Sequence, residues 1–172
     1  MVEEVDILFK NANIYNSYFK KFFQGHLAVK NKKIVYTAEK YPKNIKAKKE
    51  IEAAGKFIIP GLIDIHMHIE SSMAAPKQFA AEIIKHGITT IVSEPHEIAN
   101  VFGIEGIKAM IKAGEEAAVD IYYAIPSSVP STSSKLETTG AQISVQEVKE
   151  LITEEKVICL GEVMNNEAVL TG

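Results

Sequence analysis

Residues 62–68 have the sequence Leu-Ile-Asp-Ile-His-Met-His, and this stretch decides the fold class. An apolar run follows Pro60-Gly61, and two histidines stand at its end. Similar apolar runs occupy residues 89–94, 120–126 and 157–162. Near-continuous apolar strands are typical of parallel sheets that are covered on both faces. We therefore expect four buried parallel strands, the first of them at residues 62–66.

Helical patterns separate these runs, at residues 76–86, 104–113 and 144–154. In the first two, apolar side chains recur every three or four residues, and each pattern stops before a glycine, Gly87 or Gly114. The third pattern opens with a capping box formed by Ser144 and Glu147. Alternating strands and helices predict an α/β fold, with a parallel sheet and helices outside it.

Residues 1–59 have a different pattern, which is short and strand-like. Strands are predicted at residues 6–14, 26–29 and 33–37, with Asn31-Lys32 as the hairpin turn between the last two. The lysine-rich segment 39–50 is expected to interrupt them. This pattern indicates a small β unit of three or four strands. A two- or three-stranded piece is barely stable without a partner layer, so we expect the unit to pack against another part of the protein.

The number of β units suggests an incomplete barrel. A (β/α)8 barrel takes about 250 residues, whereas roughly 110 residues follow Gly61 here. The simplest interpretation is that residues 60–172 form the first half of such a barrel. A self-contained, four-stranded open α/β sheet is the alternative that the length permits.

Composition excludes several partners. The net charge of −3 comes from 19 basic and 22 acidic residues that are spread along the chain, so neither nucleic acid nor a membrane surface is indicated. There is no apolar run near the roughly 20 residues that a membrane span needs. The acidic start is unlike a secretory signal, so a cytoplasmic location is expected. The only cysteine, Cys159, lies in an apolar run and is expected to be buried and inert.

The histidine pair is the main candidate for chemistry. Side chains two apart on a strand share a face, so His66 and His68 point together, with Asp64 one step deeper. Two imidazoles at this spacing can bind one divalent ion. Catalytic groups of barrel enzymes lie at the carboxyl ends of the strands, where this pair is predicted. The sequence therefore predicts a metal site here.

Two other segments could contribute ligands. Glu162 follows the fourth apolar run and is expected at the same end of the sheet, where its carboxylate would add negative charge. His96 and Glu97 follow the second run and are candidates for an extra metal site or for substrate contact, although a polar loop that caps the next helix is an equal alternative. Asn100 stands where a metalloprotease helix needs its second histidine, so a protease is not supported. His26 and His86 are expected in surface or capping roles.

The segment from Pro60 to Met73 resembles the amidohydrolase superfamily and, through Ile69 to Met73, its adenine deaminase branch. Further segments resemble the same branch in the same order, at residues 95–101, 126–130, 137–141 and 161–165. The sequence departs from that pattern at Glu94, where aspartate is usual, and at Ser128, where cysteine is common. The roles of those two positions stay open.

The resemblance implies an amidohydrolase barrel with two divalent metals, manganese, iron or zinc. It also implies that residues 1–59 are part of a small β-sandwich domain. His66 and His68 would bind the first metal, and Glu162 would bridge the pair as a catalytic group. Residues expected to contact a purine are Glu70, Ser71, Ser72, Ser127 and Glu137. The implied reaction is the hydrolysis of adenine to hypoxanthine and ammonia, with water activated by the metal, in purine salvage.

Other interpretations remain open. The protein could be an amidohydrolase that acts on a cyclic amide or another amine, although relatives of that kind use a carboxylated lysine where Glu162 stands. It could also be a non-catalytic fragment. Because the superfamily takes further ligands and an aspartate from later strands, we expect the 172 residues alone to be inactive. Unpaired strand edges and uncovered apolar surface would favour a homo-oligomer.

Overall fold

The computed structural model describes residues 3–171. The chain divides into two compact units between Pro60 and Gly61. We call them the N-terminal sheet unit and the α/β unit, and each is described by itself.

The N-terminal sheet unit is one mixed sheet in the described part of residues 1–60. Its strands are β1 (Glu3–Asn16), β2 (Lys21–Lys30), β3 (Lys33–Ala38), β4 (Ile45–Glu52) and β5 (Phe57–Ile58). The order is β3-β2-β1-β4, with β5 also paired to β1; β1 is antiparallel to β2 and parallel to β4 and β5. The turn at Asn31-Lys32 is confirmed, since both residues have positive φ, 50° and 62°, as a tight hairpin turn requires. The second layer of a sandwich stays a prediction.

Strand β4 corrects one expectation. Residues 39–50 were expected to interrupt the strands, but Ile45–Glu52 pairs with β1 along most of its length. The strand lies at one end of the sheet order, where lysines point to solvent while Ile45 and Ala47 pack against the core residues Val5, Leu8 and Ala28. Edge strands commonly carry lysine, so they lack the hydrophobic pattern by which strands are predicted from sequence.

The α/β unit alternates strands and helices, as predicted. Its elements are β6 (Leu62–Met67), α1 (Pro76–Ile83), β7 (Ile88–Ser93), α2 (His96–Gly114), β8 (Asp120–Ile125), α3 (Val145–Leu151), β9 (Val157–Leu160) and α4 (Asn166–Thr171). Short 3-10 turns lie at Glu70–Ser72 and Ile84–His86. The four strands are parallel and follow chain order, β6-β7-β8-β9. The expected α/β fold with a parallel sheet is thereby confirmed.

Helices α1 to α3 pack against one face of this sheet. The buried residues Ile121, Tyr123 and Ile125 alternate along β8 and therefore point to the same side. Ile121 and Tyr123 belong to a cluster with apolar side chains of α1 and α2, and Ile125 belongs to one with Leu151 of α3. The opposite face is thus left for Asp64 and His66, which lie on the other side of β6 from Met67.

Helix boundaries agree with the predicted signals in two cases. The 3-10 turn after α1 stops before Gly87, whose φ is 84°. The capping box of Ser144 and Glu147 is present at the start of α3, and Glu147 accepts the Ser144 N–H at 2.9 Å.

Helix α2 differs from its prediction. It begins at His96 instead of residue 104, because the polar segment is helical up to a break at Gly103, where φ is 57° and ψ is −139°. In the described part of the chain, the helices are too short or too polar to span a membrane.

The expected burial is wrong for the two outer strands. Ile65 of β6 is 78% exposed and Ile158 of β9 is 54% exposed, because each strand pairs on one side only and other described residues do not cover its free side. Cys159 is exposed for the same reason, which corrects the expected buried thiol. His26 is also corrected: it is buried against the ring of Tyr41 instead of lying at the surface.

Candidate metal centre

Two strand ends bring the candidate ligands together. His66 lies on β6 and His68 follows its last residue, while Glu162 comes two residues after β9 ends at Leu160. Parallel strands end at the same edge of their sheet, so side chains 94 residues apart in sequence can meet. One ligand atom from each of the three residues lies within 4.8 Å of the others.

The geometry of this cluster fits a divalent cation. The Nε2 atom of His66 is 3.2 Å from Glu162 Oε1, and the Nε2 atom of His68 is 4.0 Å from Glu162 Oε2. Tetrahedral ligands with bonds near 2.1 Å stand about 3.4 Å apart, so the first pair already has a suitable spacing and the second needs a small shift. The two imidazole rings are nearly perpendicular, with centroids 5.1 Å apart. Nitrogen and carboxylate ligands of this kind suit zinc, iron and manganese.

The main chain of Glu162 is held from two directions. Its N–H donates to Glu94 Oε2 at 2.8 Å, and its carbonyl oxygen accepts the Ser127 hydroxyl at 2.6 Å. Ser127 follows β8, which pairs with β9, and Glu94 follows β7, one strand further away, so residues from two other strand ends hold this peptide. These contacts place Ser127, which was expected to bind substrate, on the backbone of a candidate ligand.

Glu97 lies against the second histidine. Its Oε2 atom is 3.1 Å from His68 Nδ1, and its Oε1 atom accepts the Ser71 hydroxyl at 2.7 Å. A carboxylate only accepts, so this contact favours the tautomer that carries hydrogen on Nδ1 and leaves the Nε2 lone pair free toward Glu162. Carboxylate partners of this kind orient metal-binding histidines in many sites.

Glu94 and His96 lie next to each other and are both buried near the cluster. Glu94 is fully buried, and its Oε1 atom is 3.9 Å from His96 Nδ1, while Oε2 is 3.9 Å from His66 Nδ1. Burial raises the pKa of Glu94, but His96, the Glu162 N–H and the two nearby histidines outweigh it, so the net pKa lies below its usual range. The contact with Glu94 raises the pKa of His96. The other ring nitrogen of His96 hydrogen-bonds the hydroxyl of buried Ser131.

The remaining expected substrate residues surround this region. Glu70 accepts the Ile98 N–H at 3.3 Å through Oε1, while its Oε2 atom is buried without a partner among residues 3–171. Burial raises the pKa of Glu70. The hydroxyl of Ser72 donates to Ile69 O, within its own turn. Glu137 accepts the N–H and hydroxyl of Thr132, and the hydroxyl contact lowers its pKa.

The structural importance of Glu94 and Ser131 was not apparent from the sequence. An isolated glutamate after a strand gives no sign of complete burial, and its contact with Glu162 spans 68 positions. The one available signal was the departure from aspartate at position 94. Ser131 lay in a serine-rich loop that turn formation alone could explain.

Comparison with known proteins assigns the chain to a family. The profile of the Amidohydrolase family matches residues 57–171, which is most of the α/β unit and more than half of the chain. The chain belongs to the amidohydrolase family. Amidohydrolases typically use a divalent metal, and the cluster of His66, His68 and Glu162 is the candidate site for one here.

Two curated relatives with high sequence identity are adenine deaminases. An adenine deaminase of Clostridium perfringens is 54% identical over 162 residues, covering 94% of this chain and 28% of that protein. Adenine deaminase 2 of Shouchella clausii is 50% identical over 168 residues, covering 97% of this chain and 29% of that protein. The chain thus spans less than a third of the length of these relatives.

Solved amidohydrolase structures resemble the chain as well. A crystal structure of an adenine deaminase superposes with a TM-score of 0.50 and 26% identity, covering 70% of this chain and 30% of that one. An atrazine chlorohydrolase from Arthrobacter aurescens, solved with zinc, gives a TM-score of 0.65 at 15% identity, covering 95% of this chain and 48% of that one. The second likeness concerns the fold alone.

Proposed function

We propose that the complete protein is a metal-dependent adenine deaminase, which hydrolyses adenine to hypoxanthine and ammonia in purine salvage. The carrying observation is the meeting of His66, His68 and Glu162 at one edge of the parallel sheet, in a chain that is 54% identical to an adenine deaminase. The proposal concerns the complete protein because the chain spans 28% of that relative.

The proposed ligands are His66 and His68 for one ion, with the carboxylate of Glu162 between two ions. Oε1 of Glu162 lies 3.2 Å from His66 Nε2 and Oε2 lies 4.0 Å from His68 Nε2, so this carboxylate would contact the ion that the two histidines hold. A bound divalent ion supplies Lewis acidity, which acidifies water and stabilises negative charge during hydrolysis. Manganese and iron are the preferred candidates, and zinc is also compatible with these ligands.

The chain's own residues orient this centre and approach the substrate. Glu97 holds His68 through Nδ1, and Ser127 holds the carbonyl of Glu162. Glu70 is the strongest candidate for contact with a purine, because its buried Oε2 has no partner in the described chain. Burial raises the pKa of Glu70, because desolvation disfavours the carboxylate form. Ser71, Ser72 and Glu137 are the other proposed substrate contacts.

We also propose that the α/β unit is the first half of a (β/α)8 barrel and that residues 1–59 belong to a small β-sandwich domain. The sequential parallel order β6-β7-β8-β9 supports the barrel. Apolar side chains on the two outer strands are exposed, which supports burial of these strands by later strands or by a second copy of the protein. A homo-oligomer is therefore part of the proposal.

The experiment measures ammonia release from adenine by the product of the complete reading frame, loaded with manganese or iron. The variants are His66→Ala, His68→Ala and Glu162→Gln. His86→Ala is the matched control, because His86 is an exposed histidine of the same unit in a 3-10 turn away from the ligands. We expect activity and bound metal to fall in the three variants and to stay unchanged in the control.

Two outcomes would change the assignment. Metal bound through these residues with no ammonia from adenine would move the protein to another amidohydrolase substrate. Full activity in His66→Ala and His68→Ala would exclude the proposed metal centre.

A further inference from the structure

Glu94 is a completely buried carboxylate that the proposed chemistry does not use. It follows β7, and its side chain has no exposed surface. Burying a carboxylate costs several kcal/mol unless hydrogen bonds or opposite charges compensate. Such a group is retained at that cost only where its contacts matter to the fold or to the site.

The contacts of Glu94 point toward the candidate metal centre. Oε2 accepts the Glu162 N–H at 2.8 Å and lies 3.9 Å from His66 Nδ1. Oε1 has no hydrogen-bond partner within residues 3–171 and lies 3.9 Å from His96 Nδ1. One carboxylate therefore touches the peptide of one proposed ligand and faces the ring of another.

The chain also leaves room for this carboxylate beside Glu162. A Cβ atom on Gly161 would overlap the carboxyl group of Glu94, so a side chain at position 161 would push the two apart. The glycine lets the β9 end approach Glu94 closely enough for the hydrogen bond.

Resting on the proposed function, we infer that Glu94 is a positioning residue of the metal centre, which fixes the peptide of Glu162 and the orientation of His66. Glu94 makes these contacts from a fully buried position next to the proposed ligands. His96 Nδ1 lies 3.9 Å from Glu94 Oε1, and the Ser131 hydroxyl hydrogen-bonds the other ring nitrogen of His96.

The test compares metal affinity in three variants of the complete protein. Glu94→Gln keeps the shape but removes the charge, and Glu94→Asp keeps the charged acceptor. Tyr123→Phe is the structural control. Tyr123 lies on β8 of the same sheet, and its buried hydroxyl donates to Met110 O of α2 at 2.7 Å. Affinity and stoichiometry are measured by titration with Mn²⁺ and Zn²⁺, and stability by thermal unfolding.

We expect Glu94→Gln to bind metal about 10- to 100-fold more weakly, the usual effect of losing an outer partner of a metal site. Glu94→Asp should recover most of that loss, and Tyr123→Phe should lower stability without changing affinity. Wild-type affinity in Glu94→Gln would overturn the inference. Equal losses of metal affinity in Glu94→Gln and Glu94→Asp would assign the effect to packing. One fewer bound ion in Glu94→Gln would make Glu94 a metal ligand. Either result would also overturn the inference.

A second readout separates this inference from the proposed function. Amide hydrogen exchange is followed by mass spectrometry in the peptide that contains Glu162, without added metal. Glu94→Ala should speed exchange there, because the N–H loses its acceptor, whereas Tyr123→Phe should not. If the wild type takes up no metal, the proposed function fails. The contact of Glu94 with the Glu162 peptide is then tested by hydrogen exchange alone, and unchanged exchange in Glu94→Ala would overturn the inference.

Discussion

Replacing Glu97 by glutamine tests whether this carboxylate orients His68. The wild-type contact joins Glu97 Oε2 to His68 Nδ1 at 3.1 Å. A hydrogen bond to a charged group contributes about 1.5–3 kcal/mol. Because the Glu97 side chain is 43% exposed, solvent screening places the effect near the lower end. Glutamine keeps an acceptor oxygen, so only the charge-dependent part is lost. This is about 1 kcal/mol, which corresponds to metal binding that is about five-fold weaker.

The assay is competition for Zn²⁺ and Mn²⁺ against a coloured chelator at pH 7, with the complete protein. Glu116→Gln is the matched control, since it also removes one negative charge from the α/β unit, at a side chain that is 80% exposed and paired with Lys77. The control should keep wild-type affinity. Unchanged affinity in Glu97→Gln would refute the orienting role. A loss of one bound ion, with the other site unaffected, would instead make Glu97 a ligand of an extra site.

Three other predictions concern the α/β unit. The Ser144 hydrogen bonds lower the pKa of Glu147, so its stabilising effect is present above about pH 4.3 and is lost as the pH falls below that. Thermal unfolding of Glu147→Gln should therefore differ from wild type at pH 7, and the difference should shrink as the pH falls below about 4.3; a constant difference would contradict this. Tyr123→Phe should reduce the free energy of unfolding by about 1 kcal/mol in denaturant titrations, because Met110 O loses its donor; no change would mean that water replaces the hydroxyl. Cys159 should react readily with a thiol reagent in the 172-residue chain and slowly in the complete protein, whereas equal rates would argue against a barrel that covers β9.

The order of elements could be predicted from the sequence because it depends on local signals. The apolar run before His66 and the capping box of Ser144 each act over a few residues, and the structure contains both features. Strand β4 was missed because its pairing with β1 depends on a position at the sheet edge, where lysines are favourable. Edge position is a property of the assembled sheet, which a local pattern does not contain.

The candidate site was predictable to a similar degree. The spacing of His66 and His68 indicates a shared face, and the strand-end rule brings Glu162 toward them. The burial of Glu94 was not predictable, because it depends on contacts with His96 and with a peptide 68 positions away. The exposure of Cys159 was not predictable either, since it depends on which strands lie beside β9.

The close approach of Gly161 to Glu94 restricts how the two positions can change during evolution. A larger residue at 161 would occupy the space of the Glu94 carboxyl group, so it could be accepted only after the acid at 94 had become shorter. Alanine at 161 should therefore occur only together with aspartate at 94. Sequence variation among close relatives would then record the order of the two changes, with the shorter acid appearing first.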